Sequence, residues 1–134
     1  NPRKSVMDGV PAHCPALLQA EKLQKRAAKL GFDWTEQIQI IDKIEEELEE
    51  LKESIKSGDD AHTDEEIGDI LFAVTNLGRF RKRTSTEELL AKANKKFVRR
   101  FKHIEKRVAE TGRDFNTFTI DELEQFWREA KSGE

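Results

Sequence analysis

Apolar residues recur at steps of three and four along five segments of the chain, and this periodicity constrains the fold more than any other feature. In the second segment these residues are Ile38, Ile41, Ile44, Leu48, Leu51 and Ile55. In the third segment they are Ile67, Ile70, Leu71, Val74, Leu77 and Phe80, and in the fourth they are Leu90, Ala93, Phe97, Phe101, Ile104 and Val108. Side chains at such spacing share one face of an α-helix, whereas a half-buried strand would alternate with period two. The five segments cover residues 15–30, 35–57, 63–80, 85–111 and 119–131.

Long amphipathic helices joined by short loops predict an all-α fold, organised as an antiparallel helical bundle. Residues 1–14 carry Pro2, Gly9 and Pro11 without periodicity, and they are predicted to be an irregular lead-in or the stub of an interdomain linker. Residues 15–131 form the predicted domain. Because the chain begins with Asn1 rather than Met, we expect a fragment or a processed product.

Short polar signals predict where the helices begin. Thr35 is expected to cap the second helix. A Thr or Ser followed three residues later by Glu is the capping-box pattern, and it predicts helix starts at Thr63, Ser85 and Thr119. Glu66 completes the Thr63 pattern, so this carboxylate has a purely structural explanation as a capping-box residue.

The composition excludes several classes of function. A single cysteine among 134 residues rules out an internal disulfide and a multi-cysteine zinc site, and it fits a reduced, cytoplasmic setting. A formal net charge of −3 gives no electrostatic footprint for duplex nucleic acid, and we expect no stable nucleic-acid binding. No apolar run approaches the ~18 residues of a membrane span, so no membrane partner is expected.

Two acidic stretches, KIEEELEEL and DEEIGDILF, fall on the second and third predicted helices. Each contains two carboxylates one turn apart on a strip that borders the apolar face. These pairs are Glu47 with Glu50 and Glu66 with Asp69. If the two helices pack antiparallel, the four carboxylates converge and repel one another unless cations lie between them. Oxygen ligands without nearby Cys or His suit Mg²⁺ or Mn²⁺.

Spacing alone leaves other interpretations of the acidic stretches open. Glu45 and Glu49 flank the opposite side of the same apolar face, so periodicity does not choose between them and the pair Glu47 and Glu50. Glu-rich helices are also common as solvated surface.

A basic strip follows the fourth predicted helix beside its apolar face. Lys96, Arg100, His103 and Arg107 lie at offsets of four, three and four residues. Arg suits bidentate binding of phosphate, and Lys binds it as a point charge. The alternative is that these cations only solvate the helix or favour its C-terminal half through the helix dipole. An acidic strip and a basic strip together favour a ligand that is itself a metal–phosphate complex.

The order of several short motifs resembles one known family. Glu46-Glu47-x-x-Glu50 followed by Glu66-x-x-Asp69 is similar to the EExxE…ExxD signature of the MazG family of all-α nucleoside triphosphate pyrophosphohydrolases. The further matches are QKRAAKLGFDW, GDILFAVTNLGR, ANKKFVRRF and the region of Trp127. The resemblance covers about residues 15–131, and it is closest to the C-terminal catalytic domain of two-domain MazG proteins.

The resemblance implies hydrolysis of a nucleoside triphosphate to a monophosphate and pyrophosphate, with Mg²⁺ as the cofactor and Mn²⁺ as its alternative. It assigns the metal to four carboxylates, which are Glu47, Glu50, Glu66 and Asp69. It assigns phosphate contacts to Lys96 and Arg100, and orientation or deprotonation of the attacking water to Glu46. Asn76 is expected to contact the nucleotide and Trp34 to border its base or sugar, although a hydrophobic anchor between helices explains Trp34 equally well.

Family resemblance also implies a homo-oligomer, at least a dimer.

Three other interpretations of the function stay open from the sequence. A related all-α pyrophosphohydrolase would act on a narrower substrate, such as dUTP, dCTP or phosphoribosyl-ATP. A nonenzymatic helical interaction module would explain the apolar faces without catalysis. A binder of single-stranded nucleic acid would use the basic helix but leave the four acids unexplained, and no aromatic stacking platform accompanies it.

Overall fold

The computed structural model describes residues 5–134, and it is all-helical, as predicted. Five α-helices and one short 3₁₀ helix make up the regular structure, with no strand between residues 5 and 134. The α-helices are α1 (Ala16–Lys29), α2 (Gln37–Ser57), α3 (Asp60–Arg79), α4 (Thr86–Thr111) and α5 (Ile120–Ser132), and the 3₁₀ helix is Phe115–Thr117. Within this described part, none of the helices is long and apolar enough to cross a bilayer. Residues 1–4 of the predicted lead-in, including Pro2, lie outside the described residues.

Two of the predicted helix starts are confirmed and two are wrong. Thr119 and Glu122 form a reciprocal capping box at α5, and the Ser85 hydroxyl accepts a hydrogen bond from the backbone N–H of Glu88 at 3.1 Å. Helix α3 begins three residues before Thr63, because Asp59 caps it by accepting the backbone N–H of His62.

The start of α2 differs in a similar way. The helix begins at Gln37, with Glu36 rather than Thr35 at the N-cap position. The side-chain oxygen of Gln39 reaches back and accepts the backbone N–H groups of Thr35 and Glu36, both at 3.1 Å. These bonds satisfy donors that a helix start leaves without an intrahelical partner.

The chain divides into two compact units, and α1 to α3 belong to the first, which ends at Leu89. Helices α2 and α3 pack against each other, and only Gly58 and Asp59 connect them, so they form an antiparallel hairpin. Gly58 makes this tight reversal possible with a left-handed φ of 73°. Helix α1 packs on α3. The antiparallel arrangement is therefore observed for α2 and α3, and a bundle of the whole chain stays a prediction.

The inward face of α2 is rotated from the predicted apolar face. Ile40, Glu47 and Ser54 are buried, whereas Ile38 and Ile55, which the periodicity placed inside, are exposed. Helix α3 behaves alike, since Glu66 and Ala73 are buried while Ile67, Leu71 and Val74 are exposed. A glutamate therefore occupies the centre of each inward strip, and a row of large apolar side chains stays on the surface of this unit.

The back of α3 is closely packed where the chain turns into α4. A Cβ atom on Gly78 would lie 2.1 Å from the hydroxyl oxygen of Thr86, so only glycine fits there. The Thr86 hydroxyl donates to the backbone oxygen of Thr75 at 3.2 Å, and its backbone N–H donates to the buried carboxylate of Glu21 on α1. These contacts fix α1, α3 and the start of α4 relative to one another.

The second unit, residues 90–134, contains the rest of α4 and all of α5. Aromatic side chains join its elements, with Phe97 against Trp127 at 5.7 Å between ring centroids and Phe101 against Phe115 at the same distance. Ile104 and Val108 are buried on α4, as the predicted apolar face requires. The same prediction is wrong for three members of that face, which are exposed: Leu90, Phe97 and Phe101.

Candidate active site

Four carboxylates face one another across the antiparallel pair α2 and α3. The negative charges of Glu47 and Asp69 interact, and so do those of Glu50 and Glu66. In these two pairs the residue number rises on one helix while it falls on the other, as antiparallel packing requires. The four side chains that the sequence singled out as a metal-binding set therefore lie on the two packed helices, where they interact in pairs.

Two of these carboxylates are buried rather than placed at the wet edge of the core. Glu47 is 8% exposed and Glu66 is 6% exposed. Within the described part of the chain, the Oε2 atom of each is buried without a hydrogen-bond partner. The nearest basic groups are Lys43 Nζ, which lies 3.9 Å from Glu47, and His62 Nε2, which lies 3.5 Å from Glu66. Buried carboxylates normally have charged or hydrogen-bonded partners, so these two need an explanation.

Burial and mutual repulsion raise the pKa of both buried glutamates. For Glu47, loss of hydration is the largest cause, and Lys43 opposes it, while Asp69 and Glu50 add to it. For Glu66, loss of hydration again comes first, followed by the charge of Glu50. A raised pKa means that the protein around each group stabilises the neutral form, so the carboxylates lack the positive charge that a bound cation would supply.

The donor set fits a hard divalent cation. All four side chains offer carboxylate oxygens, which Mg²⁺ and Mn²⁺ prefer, and no cysteine competes for a softer metal. Among residues 5–134, no three acidic, His or Cys side chains are already gathered closely enough to hold an ion. Glu50 and Asp69 are exposed, whereas Glu47 and Glu66 are buried.

The geometry separates the two glutamate pairs between which spacing could not choose. At about 100° per residue, Glu49 lies nearly opposite the inward strip of α2 that contains Glu47. It pairs with Lys52 at 3.2 Å, an exposed contact within one helix. Glu45 is also exposed, on the same side of α2 as Glu49. Glu46 is exposed, and its charge contributes to the raised pKa of Glu47.

Two further predicted site residues, Trp34 and Asn76, line one cavity of about 480 Å³ in the first unit. Its walls come from α1, the connector after α1, and α3. Asn76 lies seven residues after Asp69 on α3, two turns along nearly the same strip, or about 10 Å along the helix axis. Asp69 and the part of the cavity wall formed by Asn76 therefore lie along one face of α3.

Sequence reasoning did not find three polar side chains that line this cavity, which are Gln24, Asp33 and Arg79. Arg79 pairs with Asp33 through both guanidinium Nη atoms, and this hydrogen bonding is the largest cause that lowers the pKa of Asp33. Gln24 is buried and donates from Nε2 to the backbone oxygen of Phe72 at 2.9 Å. All three residues lie within the family motifs QKRAAKLGFDW and GDILFAVTNLGR. Helical periodicity, however, does not distinguish them from the other polar residues of these motifs.

The predicted phosphate-binding residues lie on α4 in the second unit. Lys96 is exposed, and no ion pair holds it among the described residues. The side chain of Arg100 is only 11% exposed, and it pairs with Glu134 at 2.7 Å and lies 5.2 Å from the ring centroid of Trp127. The hydrogen bond with Glu134 raises the pKa of Arg100. Trp127 and Glu134 thus hold the Arg100 fork in place, a role that sequence reasoning did not assign.

Comparison with known proteins supports the motif resemblance. Residues 35–105, just over half of the chain, match the family model of the MazG nucleotide pyrophosphohydrolase domain. The chain belongs to this MazG family. The matched range includes the four facing carboxylates as well as Asn76, Lys96 and Arg100.

Relatives of this MazG domain agree with the assignment. The nucleoside triphosphate pyrophosphohydrolase of Escherichia coli strain K12 is 40% identical over 132 residues, which are 97% of this chain and 50% of that protein. The nucleoside triphosphate pyrophosphohydrolase/pyrophosphatase MazG of Thermotoga maritima is 41% identical over 120 residues, which are 90% of this chain and 46% of that protein. The chain spans about half the length of these curated relatives.

Proposed function

We propose that this MazG domain hydrolyses nucleoside triphosphates to nucleoside monophosphates and pyrophosphate, with Mg²⁺ as its cofactor and Mn²⁺ as a possible substitute. The observation that carries the proposal is the pair of facing, buried glutamates, Glu47 and Glu66, each with an oxygen that no described residue satisfies. A purely structural role would leave two buried carboxylates with one long contact to a basic group and one unsatisfied oxygen each, whereas a cation site explains them. The family and its named relatives support the same activity.

Four side chains would hold the cation. Glu47 and Glu66 are the buried pair of ligands, and Glu50 and Asp69 are the exposed pair. When bound, Mg²⁺ supplies Lewis acidity and neutralises charge that develops on the phosphates. In the reaction, a water oxygen attacks the α-phosphorus, and the bond from that phosphorus to the bridging oxygen breaks as pyrophosphate leaves. Glu46 would orient the water or accept its proton, since it lies on α2 next to Glu47 and is exposed.

Lys96 and Arg100, on α4, would contact phosphate oxygens of the substrate. The guanidinium fork of Arg100 suits bidentate binding, which a lysine at the same position cannot reproduce. We therefore expect Arg100→Lys to lower kcat/KM roughly tenfold or more, which corresponds to ~1.4 kcal/mol of transition-state stabilisation. Arg99 is the matched control because its side chain is 60% exposed and contacts the same Glu134. If Arg99→Lys and Arg100→Lys behave alike, the phosphate role of Arg100 is wrong.

The nucleoside would enter the cavity next to the carboxylates. Trp34 offers an aromatic surface there, and Asn76 offers a polar side chain on the strip that leads back to Asp69. Asp69 and Asn76 are about 10 Å apart along α3, which is comparable with the length of a nucleoside monophosphate. A nucleotide could thus place its α-phosphate near the acids while its base lies in the cavity.

The direct test is Mg²⁺-dependent pyrophosphate release from a panel of nucleoside triphosphates, including dUTP, dCTP and phosphoribosyl-ATP. We expect release to require Mg²⁺ or Mn²⁺, and the panel separates a broad substrate range from a narrow one. Glu50→Ala and Asp69→Ala should abolish release with helix content unchanged. Glu45→Ala and Glu49→Ala should have little effect. Equal losses from both sets would show that the wrong strip has been chosen, and metal-independent or absent release would refute the proposal.

We also propose that the domain works as a homodimer or a larger oligomer. Helical geometry places the exposed side chains of Leu48 and Ile67 on the flank of the α2 and α3 hairpin opposite to the carboxylates. Together with Ile55 and Val74 they form a row of large apolar groups, the kind of surface that a second copy would cover. Sedimentation of Ile67→Glu against the unaltered chain tests this, since a dimer should dissociate.

The proposed substrate also supports a cytoplasmic location, because nucleoside triphosphates are made and consumed there. This location is a proposal with the same basis as the activity. Detection of the protein outside the cytoplasm by cell fractionation would contradict it.

A further inference from the structure

One residue that lines the cavity beside α1 and α3 carries a buried hydrogen-bond acceptor to which the proposed function assigns no role. Gln24 is 5% exposed and lines the cavity together with aromatic side chains that include Trp34 and Phe72. Within the described chain, its Oε1 atom is buried and has no hydrogen-bond partner. A buried amide oxygen without a partner is costly, so a ligand that donates to it would gain affinity.

The orientation of the Gln24 amide is fixed by its other contact. The Nε2 atom donates to the backbone oxygen of Phe72 at 2.9 Å. A backbone carbonyl only accepts hydrogen bonds, so the amide cannot be turned around without losing this contact. Gln24 therefore presents an acceptor, and not a donor, as its unsatisfied group.

A second amide in the same cavity has the complementary polarity. The Oδ1 atom of Asn76 accepts from Arg79 Nη2 at 3.1 Å, and arginine only donates, so this orientation is fixed too. The Nδ2 group of Asn76 makes no hydrogen bond to any described residue, so it is an unsatisfied donor. An apolar, aromatic-walled cavity with one fixed acceptor and one fixed donor matches a flat heterocycle that carries both kinds of group on its edge.

We propose that Gln24 reads the nucleobase, with its Oε1 atom accepting a hydrogen bond from an N–H group of the base. The donor is either a ring N–H, as in uracil, or an exocyclic amine, as in adenine. Gln24 is then a specificity-determining residue. This inference rests on the proposed function only in taking a nucleotide as the ligand.

Calorimetric binding of nucleoside monophosphates tests the inference without using turnover. Ribose 5-phosphate, which lacks a base, is the reference ligand. We expect Gln24→Met, which keeps the length of the side chain but removes the acceptor, to weaken binding of the best nucleoside monophosphate roughly tenfold. Ribose 5-phosphate should bind the variant and the unaltered protein equally. Gln19→Met, on the same helix but outside the cavity lining, is the matched control and should change neither affinity.

Methylated ligands test the same hydrogen bond on the unaltered protein, so the outcome does not depend on the variant folding. Uridine monophosphate is compared with its N3-methyl derivative, and adenosine monophosphate with its N6,N6-dimethyl derivative. A loss of roughly tenfold in one pair identifies the ring N–H or the exocyclic amine as the donor. Equal affinity within both pairs overturns the inference, as does a Gln24→Met variant that binds ribose 5-phosphate proportionately less well.

The two proposals fail separately. If the protein binds monophosphates as expected but releases no pyrophosphate from any triphosphate, the hydrolase activity is wrong and the base-reading role of Gln24 stands. If pyrophosphate is released but neither the variant nor the methylated ligands change base affinity, the hydrolase activity stands and the role of Gln24 is wrong.

Discussion

Divalent cations should stabilise the folded state of this protein by binding to its acidic cluster. Glu47, Glu50, Glu66 and Asp69 place four negative charges across the α2 and α3 pair. Among residues 5–134, the only basic groups within 4 Å of these acids are Lys43 and His62. Even with the histidine protonated, the cluster is two charges short of neutrality, which one divalent ion would restore. Unfolding separates the two helices and destroys this arrangement, so Mg²⁺ should bind the folded state alone.

The size of the effect follows from mass action. A ligand at 100 times its Kd that binds only the folded state adds ~2.7 kcal/mol to the free energy of unfolding. For a chain of 134 residues, each kcal/mol shifts Tm by about 3–5 °C. Saturating Mg²⁺ should therefore raise Tm by roughly 8–13 °C relative to a chelator at matched ionic strength. The shift should grow with the logarithm of the Mg²⁺ concentration above the Kd.

The assay is thermal unfolding followed by circular dichroism, with and without Mg²⁺, for three proteins. The unaltered chain should show the full shift, and Glu66→Gln should lose most of it because one of the two buried ligands becomes a neutral amide. Glu49→Gln should keep the full shift, since Glu49 is exposed and pairs with Lys52 on its own helix. If Glu66→Gln responds to Mg²⁺ as the unaltered chain does, or if Mg²⁺ has no effect, these carboxylates are not a cation site.

Two further predictions concern packing and pH. Gly78→Ala should lower the free energy of unfolding by about 1–3 kcal/mol, because the added Cβ would lie 2.1 Å from Thr86 Oγ1. Gly68 lies on the same helix with open space around it, so Gly68→Ala should instead raise the free energy of unfolding by up to ~1 kcal/mol, and urea titrations measure both changes. Hydrogen bonding from Arg113 lowers the pKa of Glu122 from 4.5 to about 2. The stability that the ionised Glu122 contributes at the start of α5 is therefore fully present above pH 4.5, and it is lost as the pH falls through about 2. A carboxyl titration by NMR should therefore show a midpoint near 2 for Glu122 and a return toward 4.5 in Arg113→Gln, and a midpoint near 4.5 in the unaltered chain would contradict the ion pair.

The sequence determined the all-α fold and the extents of most helices, because these depend on local interactions. Spacing at three and four residues fixes helical periodicity, and the polar signals at Ser85 and Thr119 act within one turn. The same local reasoning was wrong at Thr63, where Asp59 offered a competing cap and the helix began earlier. The sequence also identified the four carboxylates, first as a geometric possibility and then through the family motif.

Only the tertiary structure decided which face of each helix points inward. An apolar stripe more than 100° wide permits several rotations about the helix axis, and periodicity ranks them only by hydrophobicity. That ranking favoured Ile38 and Ile67 as core residues and placed the acids at its border. The folded unit instead buries Glu47 and Glu66 and leaves Ile38 and Ile67 exposed. Burying charge ahead of isoleucine is unfavourable for an isolated chain, and the proposed cation site and partner copy would offset this cost.

The cavity was also beyond the reach of the sequence, because its walls join residues that are distant along the chain. Gln24 and Phe72 are 48 positions apart, and Asp33 and Arg79 are 46 apart. A hydrogen bond across such a separation depends on how α1 lies against α3, which no local pattern encodes. The sequence therefore determined which helices form and which acids are candidates for binding a metal, whereas the packing of α1, α2 and α3 decided which of their polar atoms are buried without a partner.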